Sequence, residues 1–163
     1  MRAIDLGMVF DMKAYTAQTI DLYKECAKVS SVKPALTPFV ADGSLNPDED
    51  EVTGTLAPVA CKVLMKALWL ARLARPDILK PIGDLASNVQ KWSRNHDRQL
   101  LRLIQYLVGT CNHRLVGTVQ DTADDLELVL YVDADFCGER AHTKSTSGGY
   151  LVLYGPQTWF PLA

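Results

Sequence analysis

The chain has 163 residues, of which 48% are hydrophobic and 22% charged, and its net charge is -2 at pH 7. These values are those of a soluble globular protein with room for one ordinary domain, or one small domain and part of another, and they exclude a disordered chain. Charges interrupt every apolar stretch before the roughly 18 residues that a membrane span requires, and the N-terminus lacks a secretion signal. We therefore expect an intracellular protein, cytoplasmic or nuclear, with no membrane partner.

The net charge conceals an uneven distribution along the chain. Residues 1–61 carry 5 basic and 9 acidic side chains, residues 62–114 carry 10 and 3, and residues 115–163 carry 2 and 7. The basic middle segment could lie along a phosphate backbone, because neutralised phosphates release counterions, or it could form the solvated faces of helices. Trp69 and Trp92 lie in or beside apolar helical segments, where core packing is favoured over base stacking. The candidates for phosphate contact are Lys66, Arg72, Arg94, Arg98 and Arg102.

The first predicted elements are helices. Residues 14–29 place apolar side chains at helical spacing, with Thr16 as the expected N-cap, and residues 55–74 repeat apolar residues with the strongest helical period in the chain. Between them, residues 30–51 contain three prolines and a closing acidic run. That composition is typical of an extended linker.

Two further helices follow. A proline that can start a helix opens the segment 76–92, because proline fits the first helical position. Residues 96–108 are amphipathic, with Ser93 or Asn95 as the N-cap and Gly109 as the C-terminal stop.

After this point the periodicity changes to that of strands. Residues 113–119, 126–133 and 148–155 are rich in β-branched and aromatic side chains and are separated by polar turns, and residues 157–160 begin a further strand. Such runs predict an antiparallel sheet. The predicted fold class is therefore α+β, with helices first and a sheet second.

Two aspartates, Asp133 and Asp135, end one of these strands. Residues i and i+2 of a strand point to the same side, so both carboxylates face one way. Phosphodiester hydrolysis by two metal ions requires several such carboxylates around hard cations. The alternative is that polar residues simply end a strand at a turn, and the pair alone does not decide between the two.

The stretch YVDADFCGERAHTKSTSGGYLVLYG resembles the start of the ribonuclease H domain of copia-type retrotransposon Pol polyproteins. That family has a Tyr-x-Asp-Ala-Asp-aromatic-x-Gly run, then a Lys-Ser-Thr-Ser-Gly turn and a second strand. Three other stretches resemble family motifs in the same order. They are KPALTPF at 33–39, ARPDI at 74–78 and HDRQLLRLIQYLVGT at 96–110.

The resemblance implies three regions: a thumb-like helix and proline-rich linker at 1–51, a helical connection region at 52–112, and the first strands of a truncated ribonuclease H-like domain at 113–163. It implies a parent that copies RNA into DNA and degrades the RNA of RNA/DNA hybrids. Asp133 would be the catalytic, first metal-binding carboxylate, and Asp135 an auxiliary ligand of Mg²⁺ or Mn²⁺. The implied partners are an RNA/DNA hybrid or other nucleic acid and the remainder of the Pol polyprotein.

Departures from the family pattern limit the expected activity. The chain has no Tyr-x-Asp-Asp polymerase motif, and the later ribonuclease H carboxylates would lie beyond Ala163. Phe136 and Cys137 replace the usual Trp and Ala, and Gly149 lengthens the turn. We expect the chain alone to be neither a polymerase nor an efficient nuclease. The alternative is a non-catalytic module that binds nucleic acid or protein, and an incomplete sheet would expose an edge and a face.

Overall fold

The computed structural model describes residues 6–41, 43–139 and 144–162. The chain divides into two compact units. One, the helical unit, runs from Phe10 to Arg114, and the other, the sheet unit, combines the segment ending at Val9 with the chain from Leu115 onward. Helices precede most of the sheet, so the α+β prediction is confirmed.

Four α-helices occur in the described part of the helical unit: α1 (Lys13–Ala27), α2 (Ala60–Ala74), α3 (Leu79–Ser87) and α4 (Arg94–Gly109). Each contributes apolar side chains at helical spacing to one core, which removes them from water. None of these helices is long and apolar enough to cross a membrane, nor is any other in the described ranges. Fully buried core residues include Leu64, Leu70, Ile82, Leu100 and Ile104.

The ends of the helices follow local capping chemistry. Helix α4 begins after Ser93, whose Oγ accepts the N–H of His96 while His96 Nδ1 accepts the N–H of Ser93, so the predicted cap is confirmed. The prediction of Thr16 as the cap of α1 is wrong. That helix begins after Met12, and the Thr16 hydroxyl donates to the Met12 carbonyl inside the first turn. It ends at Lys28, which adopts a left-handed conformation with φ 55°.

Two predicted helices are shorter than their sequence patterns. Helix α2 begins at Ala60 rather than at residue 55, because residues 54–59 form turns that hydrogen-bond to other parts of the unit. The predicted helix over 76–92 is α3, flanked by short 3-10 turns at Pro76–Ile78 and Val89–Lys91.

The sheet unit contains the strands β1 (Leu6–Phe10), β2 (Leu115–Val119), β3 (Glu127–Glu139), β4 (Lys144–Gly155) and β5 (Thr158–Pro161). They are ordered β1-β2-β5-β4-β3, and the pairs β2–β5, β5–β4 and β4–β3 are antiparallel. Strand β1 was not predicted. The four strands from β2 to β5 correspond to the four predicted runs, but the predicted ends of two of them are wrong. The backbone pairing of β3 with β4 continues as far as Glu139 and Lys144, so Gly149 pairs with Val132 within β4 and does not lengthen a turn.

Strand β3 forms one edge of this sheet and presents an open apolar row. Leu128, Leu130 and Val132 alternate along it and therefore lie on one face. They are 68%, 58% and 75% exposed. Strand β3 therefore provides both the exposed sheet edge and the exposed apolar face that were expected.

Candidate nucleic-acid interface

Asp133, the candidate catalytic residue, lies in β3 directly opposite Gly148 of β4. Its side chain is exposed, and a Cβ added to Gly148 would meet no heavy atom within 4 Å. The pleat of the hairpin therefore holds the carboxylate beside open space. The backbone of Asp135 pairs with that of Thr146, but the side chain of Asp135 lies outside the described residues.

The described side chains do not fit a two-metal nuclease centre. They contain no group of three or more His, Cys, Asp or Glu side chains that could hold a metal ion. A single carboxylate such as that of Asp133 cannot hold two divalent cations and also leave positions for water and phosphate. Binding of Mg²⁺ or Mn²⁺ at Asp133 and Asp135 stays a prediction.

Two of the five candidate phosphate-binding residues hold the proline-rich segment, residues 30–51, against α4. Arg102 Nε donates to the carbonyls of Thr37 and Phe39 at 3.1 and 3.2 Å. Arg98 donates to the carboxylate of Glu49 at 3.0 Å. Both guanidinium groups therefore already have acceptors within the protein. Arg98 is nevertheless exposed to solvent, and Arg102 is half-buried.

Further contacts fasten the same segment to α4. The N–H of Ala35 donates to the carbonyl of Gln105 at 3.0 Å, and the side-chain amide of Asn95 donates to the Asn46 carbonyl at 2.8 Å. A Cβ on Gly109 would lie 2.9 Å from the Ala35 carbonyl, so glycine permits this close approach. The segment predicted as a linker is therefore a chain that lies along α4.

The other three candidates for phosphate contact differ in whether their cationic groups have partners within the protein. The ammonium group of Lys66 lies 4.1 Å from the ring centre of Tyr15 and 3.4 Å from Gln18 Oε1, so it faces α1. Arg72 and Arg94 are exposed, and their guanidinium groups have no hydrogen-bond or ion-pair partner among the described residues. Arg94, Arg98 and Arg102 share one face of α4, since they are spaced by four residues.

A polar cluster that the sequence did not predict joins the start of α4 to the turns before α2. The Asp97 carboxylate accepts the N–H and hydroxyl of Thr55 at 2.6 and 2.9 Å, the N–H of Leu56 at 3.2 Å, and the indole N–H of Trp92 at 2.7 Å. Burial, with the negative charge of Asp97, raises the pKa of Tyr23 to about 12. Because its acceptors are occupied by backbone and core groups, the cluster stabilises the fold.

A second buried cluster closes the other end of α4. Arg75 is 2% exposed and donates to Asp77 through Nε and a terminal nitrogen, and to the carbonyl and hydroxyl of Thr110. Burial would raise the pKa of the Asp77 carboxyl, but hydrogen bonds and charge from Arg75 and a hydrogen bond from Tyr106 lower it overall. Arg75 belongs to the basic segment but is not available to phosphate.

The two tryptophans of the helical unit have opposite environments. Trp92 is 4% exposed and belongs to the core, so that prediction is confirmed. Trp69 is 56% exposed, so the prediction that it packs in the core is wrong. The outward face of α2 also carries Lys62, an exposed cation that the sequence did not single out.

The molecule thus combines a basic helical segment, partly neutralised by its own chain, with an antiparallel sheet on which Asp133 is exposed. The chain is similar to the retrovirus-related Pol polyprotein from transposon RE1 of Arabidopsis thaliana, with 29% identity over 79% of this chain and 8% of the relative. It is also similar to the corresponding protein from transposon RE2 of the same plant, with 26% identity over 97% of this chain and 10% of the relative.

A third relative is the secreted RxLR effector protein 161 of Plasmopara viticola, which is 33% identical over 54% of this chain and 60% of its own length. No protein-family model matches the chain, and no solved structure matches it significantly. The chain spans about a tenth or less of the length of the two Pol polyproteins. The similarities to the two transposon polyproteins support a fragment of a retrotransposon Pol polyprotein.

Proposed function

We propose that the chain is the part of a copia-type Pol polyprotein that follows the polymerase and enters a ribonuclease H-like domain, and that by itself it binds nucleic acid without cutting it. The similarity to the transposon RE2 polyprotein, over 97% of the chain, carries this proposal. Since that similarity includes both units, it supports one continuous polyprotein segment. The parent would copy RNA into DNA and degrade the RNA of the hybrid.

The binding role is supported by charges that the protein leaves unpaired. Residues 62–114 carry 10 basic and 3 acidic side chains. Lys62, Arg72 and Arg94 of this segment are exposed and have no side-chain partner among the described residues. Cations that are not neutralised internally can release counterions from a phosphate backbone, whereas Arg98 and Arg102 would first have to leave their protein acceptors.

The absence of cutting is proposed because the described side chains do not supply a two-metal centre beside Asp133. The test is incubation of a labelled RNA/DNA hybrid with the purified chain and Mg²⁺ or Mn²⁺, with Asp133→Asn as the matched control. We expect no cleavage by either protein. Cleavage that Asp133→Asn abolishes would overturn the non-catalytic role and make Asp133 a working metal ligand.

Binding is tested separately by fluorescence anisotropy of the labelled hybrid at several salt concentrations. We expect the logarithm of the binding constant to fall linearly with the logarithm of the salt concentration. The double variant Arg72→Gln/Arg94→Gln should lower the slope by about 2, because each phosphate contact contributes about 0.9. No binding, or binding that does not change with salt, would overturn the nucleic-acid role.

A further inference from the structure

The outward face of α2 carries a continuous apolar ribbon. Cys61, Met65, Trp69 and Leu73 are spaced by four residues and therefore lie on one side of the helix. All four are exposed, with Met65, Trp69 and Leu73 at 44%, 56% and 39%. The opposite side of α2 is buried in the core, so the helix is apolar on both sides. Contiguous exposed apolar surface is a common feature of binding sites.

The charged side chains that α2 itself places on this face are positive, and Lys62 also borders a groove lined by Asp21 and Glu25 of α1. Lys62 and Arg72 are exposed beside the ribbon, and α2 contains no Asp or Glu. Arg72 is three residues after Trp69 and is thus its neighbour on the helix surface. Lys62 is two turns before Trp69, about 10 Å along the axis. The exposed indole therefore lies between two cations.

We propose that this face binds single-stranded nucleic acid, with an unpaired base stacked on Trp69 and flanking phosphates held by Arg72 and Lys62. The ligand must bring both negative charge and a flat apolar surface, and a single strand provides them alternately as phosphates and bases. A fully paired duplex offers phosphates but keeps its bases stacked inside. The proposal rests on the nucleic-acid role given above, and it adds the site and the kind of strand.

Lys66 is excluded from the proposed contacts by its own environment. It lies between Tyr15 and Gln18 of α1, on the side of α2 that faces its neighbour. Two different kinds of partner could contact an apolar and basic face, namely a nucleic acid and an acidic peptide or protein. The nucleic acid is favoured because the most exposed side chain of the ribbon is the aromatic one, and aromatic rings stack on any base.

Trp69 itself can report the contact. Stacking of a base quenches tryptophan fluorescence, and the other two tryptophans are less accessible, Trp92 at 4% and Trp159 at 38% exposure. The experiment is titration of the full chain with an oligothymidylate, while the intrinsic fluorescence and the anisotropy of a labelled strand are recorded. An abasic oligomer of equal length serves as the matched ligand, since it has the phosphates but no bases.

The wild-type chain should bind the oligothymidylate more tightly than the abasic oligomer, with quenching by the first ligand alone. Trp69→Ala should weaken oligothymidylate binding between about 5-fold and 100-fold and leave abasic binding unchanged, whereas Trp69→Phe should retain part of the affinity. Arg72→Gln should weaken binding to both ligands. Lys80→Gln, which removes an exposed charge from α3, is the matched control and should change neither.

The outcomes separate this inference from the proposed function. If the chain binds nucleic acid with the expected salt dependence but Trp69→Ala has no effect, the α2 site is wrong and the general binding role stands. If the wild-type chain binds neither strand nor hybrid, both are wrong. If Trp69→Ala changes only the oligomeric state in size-exclusion chromatography, the face is a protein interface and the inference is overturned.

Discussion

The indole N–H of Trp92 donates to Oδ1 of Asp97 across 2.7 Å, and this bond connects the residue before the cap of α4 to its first turn. Asp97 accepts two further N–H groups and a hydroxyl from Thr55 and Leu56. One carboxylate therefore holds the entry to α4 and the turns before α2 together, although Thr55 and Asp97 are 42 residues apart.

Removal of this carboxylate should destabilise the helical unit. We expect Asp97→Ala to lower the free energy of unfolding by about 3 kcal/mol, because the buried residues Leu56 and Trp92 lose a charged acceptor for their N–H groups. Urea unfolding followed by circular dichroism measures the change. Asp84→Ala is the control, since Asp84 is exposed and pairs only with Lys80 among the described side chains; its effect should be below about 0.5 kcal/mol. Equal effects of the two variants would contradict the role of Asp97.

The same junction requires a glycine at position 54. A Cβ added to Gly54 would lie 2.5 Å from the Ser93 carbonyl oxygen, 2.7 Å from Trp92 Cδ1 and 2.8 Å from Asp97 Oδ1. We expect Gly54→Ala to cost more than about 2 kcal/mol, because the backbone and the indole cannot both move away. Gly83→Ala, inside α3 with no heavy atom within 4 Å of the added Cβ, should instead stabilise by about 0.5–1 kcal/mol. Thermal unfolding measures both effects: the midpoint should fall for Gly54→Ala and rise for Gly83→Ala.

Local signals and distant contacts differ in how well they could be predicted. The cap of α4 was narrowed to Ser93 or Asn95 from sequence, because a cap and the N–H that it accepts lie within four residues, and the structure shows that it is Ser93. The residues from 55 onward have a helical pattern, but the N–H groups of Thr55 and Leu56 bond to Asp97, which is distant in sequence. Trp69 was expected in the core because its helical segment is apolar. The repeat that includes Val63, Leu64 and Ala67 forms the buried side of α2, and Trp69 lies outside that repeat.

At the candidate site, too, local patterns could be predicted from the sequence but contacts between distant residues could not. Asp133 was predicted at the end of a strand, but β3 continues to Glu139, so the structure places Asp133 inside the strand, with an exposed side chain. The basic segment was found from its charge, but charge alone cannot tell a free arginine from one with a protein acceptor. Arg98 reaches Glu49 and Arg102 reaches Thr37, across 49 and 65 residues. Such pairings depend on the tertiary fold and leave no local pattern.

His96 should make the stability depend on pH. Burial lowers the pKa of its ring, against the raising effect of the Asp50 and Asp97 charges, and its Nδ1 accepts the N–H of Ser93 at 2.9 Å as only a neutral ring can. The unfolded chain takes up this proton near pH 6.5 and the folded chain only at lower pH. Stability is therefore expected to fall as the pH drops below about 6.5, until the folded pKa is reached.

The variant His96→Gln should lose the part of the pH dependence of stability that arises from the imidazole ring. It should retain a capping side chain, because glutamine also serves at the third position of a capping box. The measurement is the free energy of unfolding in urea at about pH 7 and about pH 5. The wild-type chain should lose more stability between these values than the variant does. His113→Gln, at an exposed position, should behave like wild type. An unchanged pH dependence in His96→Gln would refute the assignment.

Arg102 should control how firmly the proline-rich segment lies along α4. Its guanidinium group donates to two carbonyls and to the Thr37 hydroxyl, and Phe39 beside these acceptors is 46% exposed. Loss of these bonds should raise the population of the detached segment, where a protease can bind an extended chain. We expect chymotrypsin to cleave Arg102→Ala after Phe39 roughly 5-fold faster than wild type. This factor corresponds to a decrease of about 1 kcal/mol in the free energy needed to detach the segment.

The matched control for this variant is Arg94→Ala, on the same face of α4 but with no side-chain partner among the described residues. Cleavage products identified by mass spectrometry distinguish the site at Phe39 from cuts elsewhere. If Arg94→Ala accelerates cleavage as much as Arg102→Ala, the cause is a general loss of positive charge. The specific bonds of Arg102 to Thr37 and Phe39 would then not explain the faster cleavage. If only Arg102→Ala does so, this arginine is committed to holding its own chain, and the proposed phosphate contacts are left to cations without a protein acceptor.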